Sequence, residues 1–280
     1  MRIRLLICSV FTISFYSMKA QETFSANVNL KTEPTDKIDF NESSVSVLFN
    51  KKINSKNQLT NTTEYSKLSI NYELNNFSSF ENLDRFNQFQ NKTDYLFQVS
   101  DKTKLKFSVT PMFSFQENLD FSDFTLLGSF EVNQQLNSNT TITVGTARSA
   151  IFGAPKFIPL LAINYILSEK STISVGFPDS QISYSNNIRN KFSLTNSFNG
   201  SYYYLDQKSS SDYNASKVSL SQMTSAFEYE RNVDTNWFLN FKAGYDFNKK
   251  YKLTDSEDHT VYNFNTGNGS IFSIGIKYKQ

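Results

Sequence analysis

The stretch Lys104-Leu105-Lys106-Phe107-Ser108-Val109-Thr110-Pro111-Met112-Phe113-Ser114-Phe115 decides the fold. Leu105, Phe107, Val109, Pro111, Phe113 and Phe115 share one parity, and Lys104, Lys106, Ser108, Thr110, Met112 and Ser114 share the other. Side chains alternate between the two faces of a β-strand, whereas a helix groups positions three and four apart, so this segment is one long strand with an apolar face. The pattern recurs at Trp237, Leu239, Phe241, Ala243, Tyr245 and Phe247, opposed by Asn240, Lys242, Gly244, Asp246 and Asn248, with Phe238 the one misfit. Shorter versions are Leu68, Ile70, Tyr72 and Leu74, opposed by Lys67, Ser69, Asn71 and Glu73; Phe124, Leu126, Phe130 and Val132; and Phe192, Leu194, Phe198, Tyr202 and Tyr204. The composition agrees: among 280 residues there are 27 Phe and 15 Tyr against 9 Gly and 5 Pro, which favours strands.

Punctuation between the strands alternates in length. Short polar turns stand at 100–102, 137–139, 168–170, 186–190 and 232–234, each fit for a hairpin. Longer polar connections at 75–92, 116–119, 148–156, 206–217 and 249–269 fall between them, with an exception near Pro178. Tight turns on one rim and long loops on the other are expected of an antiparallel transmembrane β-barrel with short periplasmic turns and longer external loops. Counting runs gives about 14 strands, or 12 if the pair around Pro178 is one bent strand. Residues 21–41 fit a first strand, a plug or a disordered lead, and the parity difference between Val218 with Leu220 and Phe227 with Tyr229 calls for a bulge or register change.

The faces separate a barrel from a secreted β-sandwich. A sandwich core is dominated by branched aliphatics, whereas a barrel in lipid turns its apolar face outward and sets aromatics at both interfaces. Aromatics crowd the strand ends here, and Phe113, Phe115, Tyr202, Tyr204, Trp237, Tyr245, Phe247, Phe272 and Tyr278 are the expected interfacial set. The opposite face is polar. Glu73, Lys104, Lys106, Glu131, Lys242 and Asp246 are expected to line the lumen, because a lysine turned to the bilayer midplane costs ~2–4 kcal/mol. The result is a mixed-sign lumen, either a pore or a sealed network.

The N-terminus reads as an address. Arg2 and Arg4 precede the apolar run Leu5 to Phe15, and the small residue Ala20 stands before Gln21, the order of a secretory signal peptide. The expected division is a signal peptide over 1–20 and a barrel domain over 21–280. Cys8, the only cysteine, falls in the leader, so the mature chain is expected to hold no disulfide or thiolate site. Removing Arg2, Arg4 and Lys19 from the first twenty residues leaves 25 basic against 26 acidic residues, so no basic footprint for nucleic acid remains. After Gln21 no apolar run approaches the ~18 residues of a spanning helix.

At the other end Phe272, Ile274, Ile276 and Tyr278 form one apolar face almost to Gln280. This resembles the closing strand of outer-membrane proteins, which the insertion machinery recognises, and it implies two partners: that machinery and outer-membrane lipid. A second resemblance runs over about 152–205: Pro159, Leu161, Ile163, Asn164 and Tyr165, then Glu169 and Lys170, Gly176-Phe177-Pro178, Ile182, Tyr184 and the 186–190 turn. These are similar to an exported bacterial outer-membrane β-barrel family described as a domain of unknown function. The resemblance implies fold and place, with no catalytic residues to carry over.

Chemical constellations are sparse. His259, the only histidine, lies among Asp255, Glu257 and Asp258, the pattern of a solvated loop. The trio lacks the glycine and the spaced terminal glutamate of a calcium loop, and no phosphate-cradling glycine loop is present. No catalytic, cofactor or metal residue and no small-molecule ligand is assigned. The expected function is a passive pore or surface-structural barrel of the outer membrane, without catalysis. The alternatives are a membrane-embedded lipid hydrolase using a serine with His259, and a soluble β-sandwich that binds polymers.

Overall fold

Alternating side chains build strands along almost the whole chain in the computed structural model, which describes residues 22–72, 80 and 82–280. The expected signal peptide, and Glu73 with it, lie outside the described residues. The first eight strands are β1 (Glu22–Pro34), β2 (Ile38–Lys52), β3 (Asn57–Tyr72), β4 (Arg85–Gln98), β5 (Thr103–Phe115), β6 (Phe124–Gln135), β7 (Thr140–Ser149) and β8 (Lys156–Ser168). The rest are β9 (Ser171–Phe177), β10 (Asp179–Asn187), β11 (Asn190–Tyr204), β12 (Lys217–Asn232), β13 (Trp237–Thr254), β14 (Thr260–Asn263) and β15 (Gly269–Lys279). A short helix, α1 (Gln207–Tyr213), sits between β11 and β12.

Each of β1 to β13 pairs antiparallel with its successor, β13 pairs with β15, and β15 returns to β1, from Ser25 opposite Lys279 to Thr32 opposite Phe272. Fourteen strands therefore close a ring, and β14 hangs from the far end of β13. The strands around Pro178 are two: β9 and β10 form a hairpin with Gln181 opposite Ser174 and a cis Phe177–Pro178 peptide at its turn. One closed sheet replaces the sandwich alternative, which would have needed two.

One rim carries both ends of the barrel and six tight turns. Asn residues make three of them: Asn54 Oδ1 accepts from the amides of Lys56 and Asn57, Asn137 Oδ1 from Asn139 and Thr140, and Asn187 Oδ1 from Arg189 and Asn190, at 2.8–3.0 Å. The opposite rim carries the long loops, with two tight turns among them, at Pro178 and at 35–37, where Thr35 Oγ1 accepts from the amide of Ile38. Residues 22–41 thus form the whole of β1 and the start of β2.

Outward residues are apolar over most of the ring; Leu161, Ile163 and Val175 are 51%, 54% and 60% exposed on β8 and β9. Near the long-loop rim the inside turns apolar as well. Val218 and Leu220 on β12 point inward and are buried, as are Leu68 and Ile70 on β3, so the apolar parity of these two strands changes face without any break in their own alternation. The register shift expected near Leu220 does occur, but its extra residue is on the partner: Ser221 faces Lys250 and Met223 faces Phe247, with Asn248 at φ 51°. Beyond that bulge β13 turns its odd-numbered residues inward.

β6 to β10 end below this level, and β11 reaches across them to β5, where Tyr204 lies opposite Phe115. The β7–β8 loop packs on the wall so formed. A Cβ on Gly200 would stand 2.4 Å from the Ile151 carbonyl oxygen and 2.7 Å from that of Ala150, so only glycine admits the loop there. Tyr202, expected at a lipid interface, is instead 1% exposed against Met112 and Ala150, and Tyr204 packs beside it at 5.8 Å. Gly200→Ala is expected to destabilise the barrel by about 1–3 kcal/mol, the cost of overpacking against backbone; the urea midpoint followed through Trp237 fluorescence measures it.

Candidate functional site

The lumen has two storeys. In the half toward the short turns the inward side chains are polar, since Asn27, Asn29, Ser193 and Lys191 share parity with the water-facing wall. They border a cavity of about 460 Å³, and cation–carboxylate pairs run along the inner wall of this half: Lys242 with Glu228 at 3.0 Å, Lys106 with Glu131 at 3.3 Å, and Lys277 with Glu230. Lys104 is on the same inner face, opposite Asn133 of β6, and is exposed.

Asp246 belongs to a deeper group. Lys249 Nζ lies 2.6 Å from Glu33 and 3.3 Å from Asp246, and Lys31 Nζ lies 3.0 Å from Glu33 and 2.7 Å from Glu42. Gln222 donates to Glu33 at 3.0 Å, Thr224 donates to Asp246 at 2.7 Å, and the Lys249 ammonium stands 4.4 Å from the centroid of the Phe40 ring. The side chains of Lys249 and Asp246 are 0% exposed, so both charges depend wholly on these partners. Asp246 and Lys249 both point inward only because the Asn248 bulge flips the parity between them. Glu64, Gln88, Gln90 and Asn199 join this group around a second cavity of about 370 Å³.

Above it the apolar cap begins. Phe40 meets Tyr251 edge-on at 5.3 Å, Tyr251 stacks on Phe264 at 4.2 Å, and Phe86 packs on Tyr203 at 5.1 Å. Three long loops contribute: Leu83 from β3–β4, Ala215 from β11–β12 and Phe264 from β14–β15, all buried. The tyrosine hydroxyls are satisfied, Tyr72 bonding Tyr251 at 2.7 Å and the Leu83 carbonyl at 3.0 Å. Burying each large side chain contributes about 1.5–3 kcal/mol, which holds the loops down across the end of the barrel.

Outside the cap, Asp84, Glu117, Asp120, Asp123 and Asp206 surround a polar cleft of about 970 Å³ on the loop rim. Burial pushes the Asp123 carboxyl up to about 6, and the charges of Asp120 and Asp206 add to this against a 2.7 Å hydrogen bond from the Asp120 amide. His259 is far more exposed, with Nδ1 3.3 Å from Asp255 and 3.7 Å from Glu257 on the same loop. Among the described residues no group of three or more histidine, cysteine or acidic side chains is placed to hold a metal ion.

Of the aromatics expected at interfaces, Trp237 meets Tyr278 at 5.2 Å on the short-turn rim, joined there by Phe24. Phe113 touches Phe124, and Tyr245 touches Phe247, on the outer wall higher up. Phe272 is exposed between β13 and β1. The alternation in sequence stops at Asn248 and so does not point to the charged centre around Lys249, and Lys31 and Glu33 fall in the 21–41 stretch, which fits more than one element.

A closed antiparallel ring with apolar outward faces, polar inward faces and no backbone edge is the architecture of a membrane-spanning β-barrel. The chain belongs to the family described as Domain of unknown function (DUF6268), whose model matches residues 15–279. Among solved structures it is similar to the NanC porin, at 8% identity over 91% of this chain and 100% of that one with a TM-score of 0.44. It is also similar to the TodX monoaromatic hydrocarbon channel in its deltaS2 mutant, at 10% identity over 96% and 91% with a TM-score of 0.48. An outer membrane channel from Pseudomonas putida F1 follows at 8% identity over 95% and 97% with a TM-score of 0.46. No curated protein matches the chain.

Two outcomes are expected. Lys249→Met strips Asp246 of its cation and lowers stability by about 3–5 kcal/mol, and adding Asp246→Asn restores most of the loss, both read from urea midpoints. An acid whose folded pKa is raised binds its proton more tightly when folded. Stability of the 116–123 loop is therefore full below about pH 4 and falls as pH rises through about 6. The protection factor of that loop, its exchange corrected for the intrinsic rise with pH, should fall across this window in the wild type and stay flat in Asp123→Asn.

Proposed function

We propose that the protein is a non-enzymatic barrel of the bacterial outer membrane, exported by the 1–20 leader, whose lumen is held shut at the long-loop end. The observation that carries this reading is the apolar cap of Phe40, Tyr251, Phe264 and their neighbours, which fills the barrel where a constitutive pore would be open. Close-packed rings across the lumen support a closed barrel, because water and ions need a polar path. With tight turns on the periplasmic side, as barrels of this class insert, the cap faces the cell exterior and the polar vestibule faces the periplasm. The C-terminal apolar face of Phe272 to Tyr278 supports recognition by the insertion machinery.

A second reading, a passive pore opened by displacing the cap, is favoured by one specific feature. Below the cap the wall is hydrated in character, and the constriction carries Glu33, Glu42, Glu64 and Asp246 against Lys31 and Lys249, an excess of negative charge. Catalysis has less support, because the side chain of His259 is paired with carboxylates of its own exposed loop.

Single-channel recording in a planar bilayer tests the proposal. Wild-type protein shown to be folded by its heat-dependent migration in SDS should give no discrete steps. The variant Tyr251→Ala/Phe264→Ala, lacking both stacked rings, should give cation-selective steps. Stable steps from the wild type would overturn the closed reading in favour of an open pore.

A further inference from the structure

The outer wall carries a groove that the lumen does not explain. It has a volume of about 800 Å³ and crosses six neighbouring strands, β12, β13, β15, β1, β2 and β3, on the face turned to lipid. Its two halves differ. On β12, β13 and β15 it is lined by Phe227, Phe241, Ala243, Phe272 and Ile274, and on β2 and β3 by Asn41, Ser43, Lys67 and Ser69, with Leu30 and Thr32 of β1 between.

The groove also climbs. Phe241 is four residues from the short-turn end of β13, whereas Lys67, at the same level of hydrogen-bond pairing, is ten residues from that end of β3. Six residues of difference on a strand tilted by ~40° amount to about 15 Å of height, the depth of one leaflet. The apolar end thus lies deep in the hydrocarbon and the lysine end near the headgroups of the long-loop leaflet. Lys67 has no carboxylate within ion-pair distance among the described residues, unlike Arg85, which pairs with Asp84 at 3.4 Å. The hydroxyls of Ser43 and Ser69 flank it as further donors. By contrast, β5 keeps apolar side chains outward to its end, at Phe113 and Phe115, and the outward-facing Arg148 of β7 is engaged with the Leu126 carbonyl.

We infer that this groove is a binding site for a phosphate-bearing acyl lipid of the long-loop leaflet, its headgroup on Lys67, Ser43 and Ser69 and one chain laid down the apolar half toward Phe241. The inference rests on the reading of the protein as a membrane barrel. Charge complementarity selects the occupant, because a free ammonium at headgroup depth beside an acyl-sized groove matches an anionic lipid, and a zwitterionic one brings its own cation.

The test is lipid retention. The full barrel is incorporated into nanodiscs of equal phosphatidylglycerol and phosphatidylcholine, extracted in mild detergent, and its co-purifying lipid counted by mass spectrometry. Wild type should keep phosphatidylglycerol enriched about fivefold over phosphatidylcholine, with Lys67→Arg the same. Lys67→Glu should fall to the bilayer ratio. Ala243→Trp, which fills the apolar half and leaves the charge alone, should lose bound lipid of both kinds. Inorganic phosphate added during extraction should displace nothing, since the chain supplies the rest of the contact. Equal retention of both lipids by wild type, undiminished enrichment in Lys67→Glu and Ala243→Trp, or release by phosphate alone would overturn the site while leaving the barrel reading intact. Failure of heat-modifiable protein to enter nanodiscs at all would overturn both.

Discussion

A backbone amide or carbonyl in hydrocarbon has no water to turn to, so a sheet that enters a bilayer must leave no edge unpaired. Every other feature of this chain follows from how that demand is met. The closure is made by β15, the strand that pairs with β13 on one side and β1 on the other. Three of its inner residues are small or flexible (Gly275, Ser273 and Lys277), and Ser273 donates to Asn29 across the seam at 2.7 Å. Its outer residues, Phe272 to Tyr278, supply lipid contact at the same positions. One short segment thus satisfies the backbone, the lumen and the membrane together.

Closure creates a problem of volume. Side chains fill a ring of about 8 strands, while rings of 16–18 leave a channel. This chain has both situations at different heights. Near the short turns all fourteen strands surround the lumen, and the space is left to water and to ion pairs. Near the long loops β6 to β10 have ended and β11 meets β5, and beyond Asp246 the pairing of β13 with β15 has ended too, so fewer than fourteen strands form the wall there. A wall of fewer strands comes closer to the size that side chains can pack, and there the interior becomes apolar. The cap is therefore a consequence of the narrowed ring, and Gly200 is one of the places where narrowing demands contact between backbones.

The same change of height explains what the sequence could and could not reveal. Period-two alternation identified strands such as Lys104 to Phe115 almost residue by residue, because their apolar face meets only lipid. Around Pro178 it leaves one bent strand and two separate strands both open, and only the pairing of β9 with β10 decides for two. It misread Leu68, Ile70 and Tyr202, since apolar parity reports that a face is dry without reporting whether the dry neighbour is lipid, a cap or another wall. It lost β13 at Phe247 because a bulge at Asn248 exchanges the faces, so Lys249, Tyr251 and Leu253 no longer continue the pattern although the strand runs to Thr254. No local signal announces that Lys249 and Glu33 will meet at 2.6 Å, because they are joined only by closure of the ring.

The position of the Lys249 network, at the boundary between the two storeys, has a physical logic. A lone charge beneath an apolar cap would draw water upward and weaken the packing of Phe40 and Tyr251, whereas the Lys249 ammonium is bonded to two carboxylates. Lys249 is the group that touches both layers, its ammonium bonded to Glu33 and Asp246 and its charge set over the face of Phe40. The ion pairs thereby end the hydrated vestibule at a definite level, and the cap begins where the last cation is covered by a ring. Phe40 stands on β2 and Lys249 on β13, so this contact between ring and cation is made by the strand wall itself and not by the loops that lie above it.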